Sequence, residues 1–273
     1  PAGTGPAHAV PCRFLSLPGT GCPWQGAHSQ RTVVAMNDRT ALVTGANKGI
    51  GKHIAQLLAA EGLTVYVGAR DRGLGQRAVE EIGASARLLV LDVTDPAGIA
   101  RAASEVDRLD ALINNAGISP SLAPPADTSV EEFRRTYETN VFGVVAVTNA
   151  FLPALRRSPH PRIVNVSSGT ASLTWSTNPN PQFTPGSGGA AAYRSSKAAL
   201  NALTVLYAQT LAEDGFKVNA LAPGMRATDL NPLAAAAGDD PAEAARGATR
   251  LALLPDDGPT GGFFSWDGTP VPW

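Results

Sequence analysis

The segment Thr40–Gly51 reads TALVTGANKGIG, a short apolar run that leads directly into a glycine-rich turn. Behind the turn, apolar side chains recur at helical spacing at Ile54, Leu57 and Leu58. A strand, a glycine turn and a helix in this order bring backbone N–H groups and a helix N-terminus to one point, which suits the phosphates of a nucleotide. The spacing is GxxxGxG rather than the general GxGxxG, so the turn needs support from the rest of the chain.

Beyond this turn, apolar runs and helical patterns alternate to the end of the chain. The predicted segments are 64–69, 73–82, 87–91, 96–106, 111–113, 130–155, 163–166, 190–211, 218–221 and 262–265. This βαβ rhythm is typical of a parallel sheet covered by helices on both faces. We therefore predict an α/β fold, a doubly wound parallel sheet (Rossmann fold) of about seven strands, in a single domain over residues 36–273.

A second feature is the pair Tyr193 and Lys197, four residues apart in the predicted helix 190–211. Side chains at i and i+4 share one helix face, so the ammonium can lie beside the phenol. A neighbouring cation stabilises a phenolate, which predicts a lowered pKa for Tyr193 and a proton donor useful near neutral pH. Such a pair is also common on a solvated helix face, so the hypothesis depends on further residues.

Five motifs stand in register along the chain: TGANKGIG at 44–51, NNAG at 114–117, VNVSS at 164–168, YRSSK at 193–197 and PG at 223–224. In their order and separations they resemble the short-chain dehydrogenase/reductase family, over residues 39–273. The segments NKGIG, GARD at 68–71 and LALLP at 251–255, together with Trp273, resemble its carbonyl-reductase-like branch.

The resemblance implies a catalytic tetrad of Asn140, Ser168, Tyr193 and Lys197. Ser168 would hydrogen-bond the substrate carbonyl oxygen where negative charge develops, and Tyr193 would deliver the proton. Lys197 would hold the nicotinamide ribose and lower the pKa of Tyr193, while Asn140 would order a water that links Lys197 to bulk solvent. The alternative to Ser168 is its neighbour Ser167. Taken singly, each of the four also has an ordinary role as a cap, turn or surface residue.

The resemblance also implies a nicotinamide dinucleotide cofactor. The implied contacts are Gly45, Asn47, Lys48, Gly49, Ile50, Gly51, Arg70, Asp92, Val93, Asn114, Ala116, Gly117, Tyr193, Lys197, Pro223, Gly224 and Thr228. Asp92 and Val93 would contact adenine, and Pro223, Gly224 and Thr228 would flank the nicotinamide. For Asn114 and its turn, a structural role is nearly as well supported as direct contact.

The choice of cofactor depends on charge after the second predicted strand. NADP carries a 2'-phosphate on the adenosine ribose, which a guanidinium or an ammonium binds, whereas a carboxylate there favours NAD. Arg70 follows the strand 64–69 and Lys48 lies in the glycine turn. Asp71 is a counter-signal, but it comes one residue later and can cap the next helix. We predict NADPH over NADH.

Residues 169–192 separate Ser168 from Tyr193 by more than the family pattern does and show no clear periodicity. They predict an inserted loop, either over the substrate pocket or inert at the surface. The predicted pocket walls, 119–128, 169–192 and 225–238, are irregular and leave the substrate open, although their apolar content favours a nonpolar one.

Composition narrows the function classes. The chain of 273 residues has a net charge of -1 with dispersed basic residues, so we expect no nucleic-acid partner. The longest apolar stretch, 141–155, contains polar residues and a proline, which predicts a buried helix rather than a membrane span. The His and Cys residues do not cluster at metal-ligand spacing, so we predict no metal site. Both cysteines, Cys12 and Cys22, precede the predicted domain, which fits a cytoplasmic protein.

Residues 1–35 are rich in Gly and Pro and lack periodicity, so we expect a disordered extension whose removal leaves function intact. For residues 36–273 we predict NADPH-dependent reduction of an aldehyde or ketone to an alcohol. The alternatives are a secondary-alcohol dehydrogenase running in the oxidative direction and a catalytically silent NADP-binding regulatory protein. The complete tetrad argues against the silent protein. The choice between monomer and homo-oligomer stays open.

Overall fold

The computed structural model describes residues 39–180, 188–228, Leu230 and 239–273. The predicted disordered extension at 1–35 and parts of two predicted pocket walls lie outside the described residues. Within them, seven strands form one sheet: β1 (Thr40–Thr44), β2 (Thr64–Ala69), β3 (Ala86–Val90), β4 (Ala111–Asn114), β5 (Arg162–Val166), β6 (Lys217–Ala222) and β7 (Phe263–Ser265). Their order is β3-β2-β1-β4-β5-β6-β7, and every neighbouring pair is parallel. The doubly wound parallel sheet predicted from the sequence is confirmed.

Helices cover the sheet: α1 (Gly49–Ala60), α2 (Arg72–Ile82), α3 (Pro96–Ser104), α4 (Val130–Tyr137), α5 (Gly143–Leu155), α6 (Leu173–Thr177), α7 (Ala191–Thr210) and α8 (Pro241–Ala252). The predicted helix 130–155 is in fact α4 and α5 joined by a π-helical turn, Glu138–Phe142. The predicted loop 169–192 contains a 3₁₀ turn and α6, because Ser168 and Ser172 accept hydrogen bonds that start them. Among the described residues, no helix combines the length and apolarity needed to cross a membrane.

The central strands are buried on both sides. Every residue of β4 and β5 is buried, as expected for a parallel sheet sandwiched between helices. On one side, strand residues Leu112, Ile163 and Val218 pack with Phe151 and Leu155 of α5. Burying each of these large apolar side chains stabilises the fold by about 2 kcal/mol. The predicted buried helix at 141–155 thus forms part of the core.

The parallel arrangement brings the strand ends together at one edge. β1 and β4 are hydrogen-bonded neighbours, with Val43 opposite Ile113, although β2 and β3 intervene in sequence. The chain winds outward in both directions from this pair, so a crevice opens where the two strands end. The glycine turn after β1 and the NNAG turn after β4 meet there.

Candidate active site

Glycines shape the turn after β1. Gly45 and Gly49 have φ angles of +65° and +55°, in the left-handed region that side chains disfavour. A Cβ on Gly51 would lie 2.6 Å from the carbonyl oxygen of Gly45 and would clash with the Asn115 side chain. The turn is therefore a bare strip of backbone that a ligand can approach closely.

The N-terminus of α1 adjoins this strip. No side chain of the described residues caps α1 at Lys48, and its first turn carries no acidic residue. In α2, by contrast, Asp71 Oδ1 accepts a hydrogen bond from the amide of Leu74 at 2.8 Å. An uncapped helix start presents N–H donors and positive dipole potential, so the α1 start fits the pyrophosphate of a dinucleotide. Asn47, Ile50 and Gly51 lie on this same stretch.

Thr44 and Asn115 join the two turns. Thr44 Oγ1 accepts hydrogen bonds from the amides of Asn115 and Ala116 at 2.9 and 3.0 Å. Asn115 Nδ2 donates a hydrogen bond to the carbonyl oxygen of Thr44 at 2.9 Å. These two residues hold the glycine turn against the end of β4. Sequence analysis missed both, although each stands inside a motif it quoted.

Asn114 has a structural side chain. It is buried, and its Nδ2 donates to Thr148 Oγ1 at 3.1 Å and to Asn165 Oδ1 at 2.9 Å. Asn165 in turn donates to Thr204 Oγ1 at 2.9 Å. This chain of buried bonds links β4, β5, α5 and α7, so the Asn114 side chain has a structural role. Direct contact with the cofactor stays a prediction.

Two cationic side chains lie near the end of β2. Arg70 follows the strand and is exposed, as is Lys48 in the glycine turn. The amide of Ala46 donates to the carbonyl oxygen of Gly68 at 3.0 Å, which ties the glycine turn to the end of β2. The Asp71 side chain caps α2. This gives a structural reason for the carboxylate that, in the sequence, argued against NADPH.

Asp92 and Val93 lie beyond β3 and are half-buried. Asp92 Oδ1 accepts from the amide and hydroxyl of Thr94, at 2.9 and 2.7 Å. The carbonyl oxygen of Val93 lies against Gly143, where an added Cβ would approach it to 2.8 Å. The two residues thus occupy the strand edge expected for adenine contacts, next to the start of α5.

Ser168 and Tyr193 meet beyond the end of β5. Ser168 Oγ lies 2.9 Å from Thr170 Oγ1, and the Ser168 hydroxyl is close enough to the Tyr193 phenol to act on its pKa. Burial raises the pKa of Tyr193, and the nearby Ser168 hydroxyl offsets this in part. The sequence-based expectation of a lowered pKa is not met in this structure, because loss of solvation outweighs the favourable contacts.

Lys197 lies one helical turn beyond Tyr193 and is buried. Its Nζ donates to the carbonyl oxygen of Val166 at 2.8 Å and lies 5.8 Å from the Tyr193 ring centroid. Burial lowers the pKa of Lys197 to about 8. The ammonium is therefore held beside the phenol, and its pKa lies well below that of an ordinary lysine.

Ser167 differs from its neighbour. It is buried, and its Oγ donates to Asn201 Oδ1 at 2.6 Å. A longer contact of 3.3 Å reaches the carbonyl oxygen of Lys197. Since its hydroxyl faces the protein interior, Ser167 is poorly placed to meet a substrate, whereas half-buried Ser168 faces Tyr193.

Asn140 lies in the π-helical turn and is fully buried. Its Oδ1 accepts from the amide of Ile118 at 2.9 Å, and its Nδ2 donates to the carbonyl oxygen of Ile118 and to Ser196 Oγ, both at 3.0 Å. A Cβ on Gly117 would lie 3.3 Å from Asn140 Oδ1 and 3.4 Å from Lys197 Nζ, so these two groups flank Gly117. The role predicted for Asn140 in ordering water remains a prediction.

Pro223, Gly224 and Thr228 follow β6. Gly224 has a φ angle of +74°. The Thr228 methyl group packs over Gly49, where an added Cβ would lie 3.4 Å away. This segment therefore runs from the end of β6 to the glycine turn, across the edge that carries the other site residues.

Within the ranges that the structure describes, no group of three or more His, Cys, Asp or Glu side chains could hold a metal ion. The site instead contains the hydroxyl of Ser168, the phenol of Tyr193 and the ammonium of Lys197, together with a glycine turn whose backbone a phosphate can approach. A parallel doubly wound sheet with this edge defines a Rossmann-like protein built to bind a nucleotide cofactor.

The family model described as short chain dehydrogenase matches residues 39–237. The chain belongs to the short-chain dehydrogenase/reductase family, on its carbonyl-reductase-like side. Members of this family are oxidoreductases that act on carbonyl or alcohol groups with a nicotinamide cofactor.

Three relatives illustrate the similarity. A cyclopentanol dehydrogenase from Comamonas sp. (strain NCIMB 9872) is 40% identical over 202 residues, 71% of this chain and 76% of that protein. The (-)-isopiperitenone reductase of Mentha piperita is 34% identical, over 84% of this chain and 96% of its own. The crystal structure of an NADPH-bound carbonyl reductase from chicken fatty liver aligns with a TM-score of 0.73 and 28% identity, covering 87% of this chain and 100% of that one.

Proposed function

We propose that the protein is an NADPH-dependent carbonyl reductase that converts an aldehyde or ketone to an alcohol, with Asn140, Ser168, Tyr193 and Lys197 as its catalytic residues. The observation that carries this proposal is the grouping of Ser168 and Lys197 around the Tyr193 phenol. The Ser168 hydroxyl acts on the pKa of Tyr193, and the buried ammonium of Lys197 lies 5.8 Å from the Tyr193 ring centroid. All three lie at the carboxyl edge of the sheet, near the uncapped start of α1.

In the proposed reaction, the carbonyl carbon would receive the hydride that a reduced nicotinamide would supply when bound at this edge of the sheet. Ser168 donates a hydrogen bond to the carbonyl oxygen and stabilises the charge that develops there. Tyr193 transfers its proton to that oxygen, which completes the alcohol. The raised pKa of Tyr193 keeps the phenol protonated at neutral pH, as a proton donor must be. The ammonium of Lys197 would then stabilise the phenolate and return a proton to it, and a water ordered by Asn140 would restore the Lys197 proton from bulk solvent.

The proposed preference for NADPH is supported by the exposed cations Arg70 and Lys48 near the end of β2. A guanidinium can bind a 2'-phosphate through two charge-assisted hydrogen bonds. Asp71, the carboxylate that would favour NADH, already bonds the amide of Leu74. The bare glycine turn would hold the pyrophosphate, Asp92 and Val93 the adenine, and Pro223–Thr228 the nicotinamide end.

An apolar substrate is supported by three exposed hydrophobic side chains on the predicted pocket walls. Leu122, Leu173 and Met225 are 47%, 68% and 56% exposed. Large apolar groups left in water on segments around a cleft favour a ligand with apolar surface. A cytoplasmic location, and a small carbonyl or alcohol compound as the binding partner, remain predictions.

The relative named cyclopentanol dehydrogenase favours a second candidate, oxidation of a secondary alcohol at the same site. In that direction Tyr193 would accept a proton, which requires the phenolate form. Because the pKa of Tyr193 is raised, the phenol must first ionise at high pH before it can act as this base. Rates with secondary alcohols and NADP⁺ or NAD⁺, compared with rates of carbonyl reduction near neutral pH, distinguish the two directions.

The test is NADPH consumption with a panel of aldehydes, ketones and quinones, for the native protein and Tyr193→Phe. This substitution removes only the proton-bearing oxygen. We expect turnover to fall about 10²–10⁴-fold, the usual contribution of a general acid, while NADPH still binds. Tyr207→Phe is the matched control, because the Tyr207 hydroxyl lies on the same helix but bonds Asn149 Oδ1 at 2.9 Å.

Equal turnover by Tyr193→Phe and the control would refute the assignment of Tyr193. If the native protein binds NADPH but turns over neither carbonyls nor alcohols, the catalytically silent alternative replaces the reductase.

A further inference from the structure

Arg226 is a buried cation that the sequence analysis did not single out. It lies on Pro223–Thr228, between Gly224 and Thr228, and its side chain is 1% exposed. A buried guanidinium is strongly unfavourable unless it is paired and hydrogen-bonded, so its partners should reveal its role.

The guanidinium joins three parts of the chain. Within its own turn, Nε donates to the carbonyl oxygen of Pro223 at 2.6 Å. Nη1 forms an ion pair with Glu243 Oε2 of α8 at 2.6 Å. The guanidinium carbon also lies 4.5 Å from the ring centroid of Trp266, directly after β7, in cation–π geometry. We name Arg226, Glu243 and Trp266 the Arg226 clamp.

One face of α8 supports the clamp from behind. Glu243, Gly247 and Arg250 follow at i, i+4 and i+7, which places them on the same side of the helix. Gly247 packs so closely on Trp266 that an added Cβ would lie 2.7 Å from its carbonyl oxygen. Arg250 Nη2 donates to that same oxygen. These contacts hold the backbone of Trp266 against α8, the helix that also carries Glu243.

The clamp controls where Pro223–Thr228 runs. On one side of Arg226, Gly224 packs against the clamp, since a Cβ there would lie 3.2 Å from Trp266 Cδ1 and 3.3 Å from Arg226 Nη2. On the other side, Thr228 packs over Gly49 of the glycine turn. The amide of Ala227 also bonds the carbonyl oxygen of Asp239 at 3.0 Å. A shift at Arg226 would therefore move the segment relative to the glycine turn.

We propose that Arg226 is a positioning residue for cofactor binding: through its clamp with Glu243 and Trp266, it holds Pro223–Thr228 against the glycine turn. The inference rests on the proposed function, because it assumes that this segment and that turn grip the same dinucleotide. Arg226 does not touch the reacting atoms; it acts through the backbone of the segment that carries it.

The test measures the dissociation constant for NADPH by titration calorimetry, which needs no turnover. Arg226→Met keeps apolar packing on Trp266 but removes the bonds to Pro223 and Glu243. We expect its dissociation constant to rise about 10-fold to 100-fold, as for small displacements of binding groups. Arg226→Lys retains the charge but not the planar fork, so it should fall between native and Met.

Arg246→Met is the matched control, because Arg246 is an exposed arginine of α8 that is not part of the Arg226 clamp or of the contacts that support it; its NADPH affinity should equal the native value. In steady-state kinetics, KM for NADPH should rise in Arg226→Met while the pH dependence of kcat keeps its midpoint. NADPH binding by Arg226→Met as tight as native would overturn the inference and leave the reductase proposal standing.

Failure of Arg226→Met to fold and failure of the native protein to bind nucleotide have different consequences for the inference. If Arg226→Met does not fold, as judged by near-UV circular dichroism, Glu243→Gln weakens the clamp from its partly exposed side, and unchanged NADPH affinity there would reject the inference. If the native protein binds neither NADPH nor NADH, the proposed function fails and the inference fails with it.

Discussion

At the scale of single residues, the position of a hydroxyl group decides whether it bonds the protein interior or faces the proposed catalytic site. Ser167 and Ser168 are adjacent and identical, yet Ser167 bonds Asn201 in the interior, whereas the Ser168 hydroxyl acts on the pKa of Tyr193. Strand geometry explains the difference, because successive side chains at the end of a strand point to opposite faces. The same hydroxyl is therefore structural at one position and available for catalysis at the next.

Arg70 should determine the choice between cofactors. Arg70→Asp would replace the proposed charge-assisted hydrogen bonds to a 2'-phosphate with repulsion, so we expect NADPH affinity to fall about 10-fold to 100-fold. NADH affinity should change little, because NADH lacks that phosphate. Calorimetric titration with both nucleotides measures the effect. Arg77→Asp, an identical charge change on the exposed side of α2, is the control; an equal loss there would make the effect one of net charge.

Lys197 should give stability a pH dependence in the alkaline range. Burial lowers its pKa to about 8 in the folded protein, whereas the pKa returns to the ordinary lysine value of 10.5 when the chain unfolds. Between these values the unfolded chain binds more protons, so the free energy of unfolding rises with pH, by up to about 3 kcal/mol. Urea unfolding of native protein and Lys197→Met at several pH values above 8 measures this. Parallel pH profiles for the two proteins would contradict the prediction.

At the scale of elements, helix ends and one helix irregularity shape the site. Regular helical bonding would continue from α4 into α5, but the π-helical turn Glu138–Phe142 interrupts it and holds Asn140 against Ile118. Such turns are rare and often lie at functional sites. The start of α1 is left uncapped by side chains of the described residues, whereas α2 is capped by Asp71. The Asp71 side chain thus caps α2, whereas the N-terminus of α1 keeps its N–H donors for the expected anion.

The cap of α2 can be tested by two substitutions at one position. Asp71→Ala removes the acceptor for the Leu74 amide and should lower the free energy of unfolding by about 1 kcal/mol. Asp71→Asn keeps a good capping side chain and should lose much less. Chemical denaturation measures both. A strengthened preference for NADPH in Asp71→Asn, with unchanged stability, would show that Asp71 faces the cofactor instead.

At the scale of the whole molecule, the two edges of the sheet have different tasks. The carboxyl edge carries the proposed catalytic and cofactor-binding residues, whereas the opposite edge is closed by a buried carboxylate, Asp110. Its oxygens accept from the amide of Thr40 at 2.8 Å, from Arg108 at 2.9 Å and from Ser158. These bonds fasten the starts of β1 and β4 and the segment after α5. Stability and function are thereby separated along the strands.

Asp110→Asn should destabilise the fold without weakening NADPH binding. Burial raises the pKa of Asp110, but hydrogen bonds from Ser158, Thr40 and Arg108 outweigh it, so the pKa is lowered overall. The carboxylate then contributes stability above its unfolded pKa, and this contribution is lost as pH falls through the lower folded pKa. We expect a loss of about 2 kcal/mol at neutral pH by urea unfolding.

Asp107→Asn is the control for this prediction, since the Asp107 side chain is 96% exposed and should lose almost nothing. A large fall in NADPH affinity in Asp110→Asn would show that the two edges are coupled.

The sequence by itself determined the order of the strands and helices, the nucleotide-type turn and the composition of the site. Apolar runs such as Thr40–Val43 have few alternatives to a buried strand, and the glycines at 45, 49 and 51 indicate a bare turn because side chains there would be strained or would clash. Motifs in register, such as VNVSS and YRSSK, then indicated which side chains meet. Each of these patterns depends on residues that are close in sequence, so it can be recognised without the tertiary structure.

Only the tertiary structure decided the properties that depend on surroundings. The direction of the Tyr193 pKa follows from burial by other segments, and sequence spacing alone predicted the opposite sign. The role of Asn114 depends on bonds to Thr148 and Asn165, from two different elements. Arg226 looks like an ordinary surface cation in the sequence, and only packing against Glu243 and Trp266 makes it a buried one. Desolvation and long-range pairing arise when distant segments meet, which no local pattern encodes.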